Sequence, residues 1–234
     1  MGRSVVRAGA ARCPGCSQPP RLCVCDLLPP VETAIAVHLL IHRHERNKPS
    51  STGALVARTV NGCTSHLFQR ATRHHPALGL AREAVNAGGE PWILDPAGEP
   101  LPAGAAATGS AHRPAVVIVD GTWREAGEMT RSLDGLGRRV CLADPGGRPG
   151  RYWLRDQPGP THLSSAEALM GVLGAVGETA AEERLRLHFE LHVYATLLAR
   201  GRREMAERYL GDSPLLGAGR DALDRFHARS GGAA

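Results

Sequence analysis

An α/β fold with a largely parallel sheet flanked by helices is expected from three features. Short apolar runs bounded by turn residues, clearest in Ala-Val-Val-Ile-Val-Asp at 115–120, have the character of strands buried on both faces. Segments with helix start signals separate these runs, as parallel crossovers require. The 234-residue chain is 42% hydrophobic and 22% charged, enough apolar material for one sizeable core. Aromatics make up only 4%, so Leu, Val and Ala must do the packing.

Taken in order, residues 1–12 are expected to be a disordered tail, and 13–28 a compact cysteine knuckle. Pro29-Pro30 marks the junction to the main body at 29–212, and 213–234 forms a C-terminal extension. Residues 33–41 (TAIAVHLLI) read as a buried strand. Ser51 and Thr52 stand at cap positions before a helix over 51–61, followed by a second strand at 63–67. A helix over 76–87 is closed by Gly88-Gly89, and 92–94 is a short strand. The Pro, Gly and Ala content of 95–114 indicates a surface loop. After 115–120 comes a helix from Thr122, then a strand at 139–142 and a Gly/Pro loop at 144–150. Helices at about 165–176 and 180–203, and a short one at 221–229, complete the chain. Three S/T-x-x-E sequences, Thr122 to Glu125, Ser164 to Glu167 and Thr179 to Glu182, have the form of capping boxes.

The net charge is +5, from 28 basic and 23 acidic residues. All of that excess falls between His42 and His75, where Arg43, Arg46, Lys48, Arg58, Arg70 and Arg73 face one acid, Glu45. A basic stretch on an otherwise balanced chain points to a phosphate-bearing partner, with a solvated basic face as the alternative. No apolar run approaches the roughly 20 residues of a membrane-spanning helix. The opening residues lack the features of a signal peptide or a myristoylation site, so a soluble cytoplasmic protein without an obligate protein partner is expected.

Four of the six cysteines crowd into Cys13-Pro14-Gly15-Cys16 and Cys23-Val24-Cys25. Two short-spaced pairs can converge on one tetrahedral Zn²⁺. A redox pair is the alternative. Cys63 and Cys141 stand in apolar surroundings as core residues.

In an open α/β sheet, ligands collect beyond the carboxyl ends of the strands. Two such ends carry chemistry: Asp120-Gly121-Thr122-Trp123 and Leu142-Ala143-Asp144-Pro145. Asp120 closes a buried strand at the sheet rim, and Gly121 lets a ligand approach the backbone. Capping alone accounts for Thr122, Glu125, Ser164 and Glu167. It leaves Asp120 and Trp123 unexplained. Trp123 is suited to stacking on a base or to core packing.

Five blocks then stand in a fixed order. They are Cys13-x2-Cys16-x6-Cys23-x-Cys25; His42-Arg-His-Glu45-Arg-Asn-Lys48-Pro-Ser-Ser-Thr52-Gly53; Val119-Asp120-Gly-Thr-Trp123-Arg-Glu-Ala-Gly-Glu-Met129; Arg151-Tyr-Trp-Leu-Arg155; and Leu163-Ser-Ser-Ala-Glu167-Ala168. From the first cysteine to about residue 200, the chain resembles the DTW-domain tRNA-uridine aminocarboxypropyltransferases. The second residue of the last motif is usually Thr in that family, and Ser165 keeps its hydroxyl.

The resemblance implies a SPOUT-like fold with a knotted cofactor site. It also implies transfer of the 3-amino-3-carboxypropyl group of S-adenosylmethionine to N3 of a tRNA uridine, with 5′-methylthioadenosine leaving. On that reading Asp120 is the candidate base. Gly121, Thr122, Trp123, Leu142, Ala143, Asp144, Pro145, Tyr152, Leu154, Arg155, Ser164, Ser165 and Glu167 are candidates for cofactor binding. His42, Arg43, Arg46, Lys48 and Arg58 are candidates for the tRNA contact, and Cys13, Cys16, Cys23 and Cys25 for structural zinc. His188 and His192, spaced i, i+4, are read as amphipathic-helix residues. Two other functions remain open from the residues alone: an RNA methyltransferase on the same scaffold, and a non-catalytic protein that binds zinc and RNA.

Overall fold

The structure is a computed structural model that describes residues 11–68, 91–101, 115–142, 150–155 and 162–231. Five parallel strands, β1 (Ala36–His42), β2 (Thr64–Phe68), β3 (Trp92–Pro100), β4 (Ala115–Asp120) and β5 (Arg138–Cys141), form one sheet in the order β2-β1-β4-β3-β5. The helices are α1 (Thr52–Thr59), α2 (Trp123–Arg131), α3 (Ser165–Ala175), α4 (Thr179–Ala199), α5 (Arg203–Gly211) and α6 (Arg220–Gly231). The α/β class expected from the sequence is the one observed. None of the described helices is long and apolar enough to cross a membrane.

The alternation of a strand sorts side chains onto two faces. Val37, Leu39 and Ile41 of β1, with Val116 and Ile118 of β4, belong to the large core cluster shared with α1, α3 and α4. Leu40 and Val117 point the other way, into a smaller cluster with Met129 and Leu133 at α2. Continuing that period, Asp120 falls on the face of Val116 and Ile118, toward α1 and α3. The register pairs Ile41 with Asp120, so β1 and β4 end side by side. His42, one residue beyond Ile41, turns to the α2 face.

Several boundaries differ from the sequence reading. β1 starts at Ala36 rather than at 33. The segment 95–100, expected as loop, lies within β3: the chain bulges out between Leu94 and Glu99, then Glu99 and Pro100 rejoin Val140 and Cys141. The turn signals in Asp95-Pro96-Ala97-Gly98 are real, but they describe an insertion in a strand rather than its end. Gly98 is required there, because a Cβ would lie 2.6 Å from the Val140 backbone nitrogen. The helix expected over 180–203 is α4, which ends at Ala199 before Gly201 adopts φ +71°, and α5 follows from Arg203 outside the expected bounds.

Thr122 and Ser164 each complete a capping box, whereas Thr179 does not. Glu178 is the N-cap of α4, and its carboxylate instead accepts from the Ala34 N–H. The helix expected at 76–87, the loop 144–149 and the tail at 1–10 lie outside the described residues. Residues 143–149 and 156–161 also lie outside them.

Candidate active site

Asp120 stands between two helix N-termini. Ser51, the N-cap of α1, donates its hydroxyl to Asp120 Oδ2 at 2.8 Å. The Gly53 N–H reaches Oδ1 at 3.3 Å, and the Ser165 hydroxyl at the start of α3 donates to Oδ1 at 2.7 Å. A Cβ at Gly53 would lie 2.5 Å from Asp120 Cγ, so only glycine lets α1 approach this closely. Three of the carboxylate's roughly four lone-pair positions are thus filled. One remains. Although these donors and the two helix dipoles favour the anion, burial outweighs them and raises the Asp120 pKa above the usual aspartate value. With 7% of its surface exposed, Asp120 lines a cavity of about 960 Å³ beyond the strand ends.

The sequence-derived residues Gly121, Thr122, Trp123, Leu142, Tyr152, Arg155, Ser164 and Ser165 all line this cavity. Trp123 is 45% exposed, which decides against core packing. It meets His162 edge to face, with ring centroids 4.2 Å apart. The buried Nδ1 of His162 has no hydrogen-bond partner among the described residues. Arg155 donates to the buried Glu45 at 2.5 Å and to the Ser50 hydroxyl at 3.3 Å. Burial alone would raise the Glu45 pKa, but the bonds from Arg155 and Lys48 hold it below the usual carboxylate range.

Leu154 and Glu167 correct the expectation of cofactor contact. Leu154 is in the core, and its carbonyl accepts from Arg200 at 2.6 Å. Glu167 Oε1 accepts the Arg151 N–H at 2.8 Å while its Oε2 accepts from the Ser164 N–H at 2.9 Å. Both hold the cavity wall from behind. Ala143, Asp144 and Pro145 lie outside the described residues.

A family model described as DTW domain matches residues 10–197. The chain belongs to the DTW domain family. Its structure is also similar to that of the SAM-dependent rRNA:acp-transferase Tsr3 from Vulcanisaeta distributa, at 14% sequence identity and a TM-score of 0.46, covering 84% of this chain and 99% of that one.

Sequence reasoning missed four residues that matter in this DTW domain. Ser51 was legible only as a cap, and Asp95 fell in a stretch read as loop. Asp95 lines the cavity and pairs with Arg139 at 2.7 Å. His162 carries no motif. Glu45 was counted as the one acid opposing a basic run, yet it is 1% exposed and turns inward to hold Arg155.

The basic segment divides accordingly. Arg43, Arg46 and Lys48 are exposed, whereas His42 is half-buried, with Nδ1 3.0 Å from Glu125 Oε1. Arg58, expected on the RNA face, is corrected: α1 carries it to the opposite side, where it donates to His192 Nδ1 at 3.2 Å beside the cysteine cluster. Burial lowers its pKa, and the neighbouring sulfurs oppose that shift.

The four clustered sulfurs lie close together, with Cys13–Cys25 and Cys16–Cys23 at 3.8 Å and Cys13–Cys23 at 3.4 Å. At a Zn–S distance of about 2.3 Å, tetrahedral ligands stand about 3.8 Å apart, so the set fits zinc. Gly15 leaves the room needed, since its Cβ would lie 3.1 Å from Cys25 Sγ. A hydrogen bond from Cys25 outweighs burial and pulls the Cys16 thiol down to about 4, while burial pushes Cys23 up to about 11 and the bond to Cys16 pushes Cys25 up, so the four sulfurs share their protons unequally. Burial pushes Cys63 up to about 12, in keeping with an inert core thiol.

Proposed function

We propose that this chain transfers the 3-amino-3-carboxypropyl group of S-adenosylmethionine to N3 of a tRNA uridine. The carrying observation is the cavity itself. In a DTW domain it is lined by a buried carboxylate with one free lone pair, an exposed tryptophan and an arginine. Its volume suits a nucleoside-sized co-substrate with part of a second base. When bound, S-adenosylmethionine supplies a sulfonium whose substituent carbon is open to displacement. N3 forms the new C–N bond as the C–S bond breaks, the N3 proton leaves, and 5′-methylthioadenosine departs as a neutral thioether.

The chain's own contribution is positioning and proton acceptance. The remaining lone pair of Asp120 accepts the N3 proton, and its raised pKa makes it a better acceptor than an ordinary aspartate. The Arg155 donors not engaged by Glu45 and Ser50 pair with the amino-acid carboxylate. Trp123 and His162 offer an aromatic edge and face for an extruded base. Arg43, Arg46 and Lys48 carry the exposed charge that meets the tRNA backbone. Zn²⁺ on Cys13, Cys16, Cys23 and Cys25 holds the N-terminal turn, and the setting is the cytoplasm.

Incubation with unmodified tRNA and S-adenosylmethionine labelled in the carboxypropyl arm tests this. The expected result is labelled 3-(3-amino-3-carboxypropyl)uridine by nucleoside mass analysis, with 5′-methylthioadenosine released. S-adenosylhomocysteine as the by-product would instead identify a methyltransferase. Tight tRNA binding without either product would leave the non-catalytic reading.

A further inference from the structure

His42, His44 and Glu125 form a second cluster, apart from the cysteines and on the α2 face of the sheet. One ligand atom from each lies within 4.8 Å of the others. Glu125 Oε1 is 3.0 Å from His42 Nδ1 and 3.7 Å from His44 Nδ1. The other oxygen, Oε2, is already fixed, because both the N–H and the hydroxyl of Thr122 donate to it at 2.8 Å. The capping box therefore orients the carboxylate and leaves Oε1 toward the two imidazoles.

A plain histidine–carboxylate hydrogen bond does not account for this arrangement. His42 Nδ1 is buried and, despite its 3.0 Å approach to Glu125 Oε1, makes no hydrogen bond among the described residues, so the geometry of a direct N–H···O bond is not met. That mismatch is what a shared ion produces. At metal–ligand bonds of about 2.1 Å, neighbouring ligand atoms stand about 3.0–3.4 Å apart, and each lone pair points at the ion rather than at the next ligand. The 3.7 Å separation closes with a small swing of His44, whose side chain is 58% exposed.

We propose that His42, His44 and Glu125 bind a divalent transition-metal ion of the zinc, cobalt or manganese type, with water in the positions left open to solvent. Two imidazoles and one carboxylate suit such ions and disfavour magnesium or calcium. The ion would clamp the end of β1 to the Thr122 turn, next to Asp120. This site does not depend on the transferase reading.

The test adds Co²⁺ to the zinc-loaded protein and follows visible absorption and thermal melting. The expected result is one equivalent of cobalt with weak nitrogen/oxygen-ligand bands and no thiolate charge transfer, together with a raised melting temperature. His44→Ala removes an exposed ligand without touching the core, and Glu125→Gln keeps a residue able to complete the capping box while removing the anionic ligand. Each should weaken cobalt binding at least tenfold and abolish the thermal shift, leaving zinc on the cysteines unchanged. Absence of a thiolate-free cobalt signal, or the same affinity in both variants, would overturn the assignment.

Discussion

Asp120 is held by opposing effects, and their balance sets two measurable outcomes. Burial disfavours its anion, whereas Ser51, Ser165 and the Gly53 N–H favour it, and burial wins. The folded chain therefore keeps a proton on Asp120 at pH values where the unfolded chain, near 3.8, has lost it. Stability from this group is present below the unfolded value and is lost as pH rises through the raised one. Proton acceptance runs the other way. kcat/KM should fall as pH drops through the raised pKa, giving an acid limb above the normal aspartate range in a pH–rate profile. Asp120→Asn removes the charge but keeps the shape, and both serine hydroxyls can turn to suit an amide. Turnover should drop about 10²–10⁴-fold, while the melting temperature at neutral pH stays within the equivalent of about 1 kcal/mol of the parent. An Asn variant that keeps full turnover would remove Asp120 from the chemistry.

The segment 150–155 brings Tyr152 and Arg155 to the cavity without regular secondary structure, so its order must come from anchors. Arg151 supplies the main one. Its Nε and an amino group grip both oxygens of Glu190 on α4 at 2.5 and 2.8 Å, and it also donates to the Tyr209 carbonyl and stacks over the Tyr209 ring at 4.2 Å. Glu190 is 1% exposed, and Ser213 donates to it as well, so removing Arg151 strands a buried charge. Arg151→Met should cost about 3 kcal/mol in denaturant unfolding and raise KM through the loosened cavity wall. The sequence marked Arg151 as part of a block but could not name Glu190, because the pair is 39 residues apart and joins two elements. The same limit explains α4. Its His188 and His192 read as amphipathic-helix residues by spacing, which does not say what they touch: both are buried, His188 against the Pro29 carbonyl at 2.8 Å and His192 against Arg58. Local signals fared better. The strand at 115–120 and the Ser51, Thr122 and Ser164 caps were all legible, since each rests on neighbours within four residues. The site as a whole was legible only as strand ends carrying chemistry, and its orientation toward α1 and α3 followed from the register of β1 on β4.

At the scale of the molecule, the cysteine turn is tied to the far end of the chain. Arg229 on α6 grips both oxygens of Asp26 at 2.8 Å and the Cys23 carbonyl at 2.8 Å, while Gln18 donates to Thr196 on α4 at 2.6 Å. Metal loss should therefore loosen α6 and the α4 contact together. Replacing Cys13 and Cys16 by Ser should release one zinc per chain and lower the melting temperature, with the largest gain in amide exchange over 13–28 and 220–231. Zinc-free parent protein with an unchanged melting temperature would refute a structural metal. The start of α1, at Ser51 and Thr52, lines the cavity, whereas Arg58 near its end meets the cluster, so the two losses separate: variants of the cysteine turn should reduce stability more than they change the pH–rate profile. The exposed charge belongs to neither. Arg43, Arg46 and Lys48 sit on the loop that follows β1, at the cavity side of the sheet, where an RNA strand entering toward Asp120 would pass. Each phosphate they neutralise releases counterions, which contributes roughly 0.7–0.9 to the slope of log K against log salt concentration. Replacing Arg43 and Arg46 by Ala, which leaves Lys48 on the buried Glu45, should flatten that slope by about 1.4 to 1.8 in tRNA-binding titrations while leaving the melting temperature near that of the parent. A slope that does not change would move the RNA contact to another face.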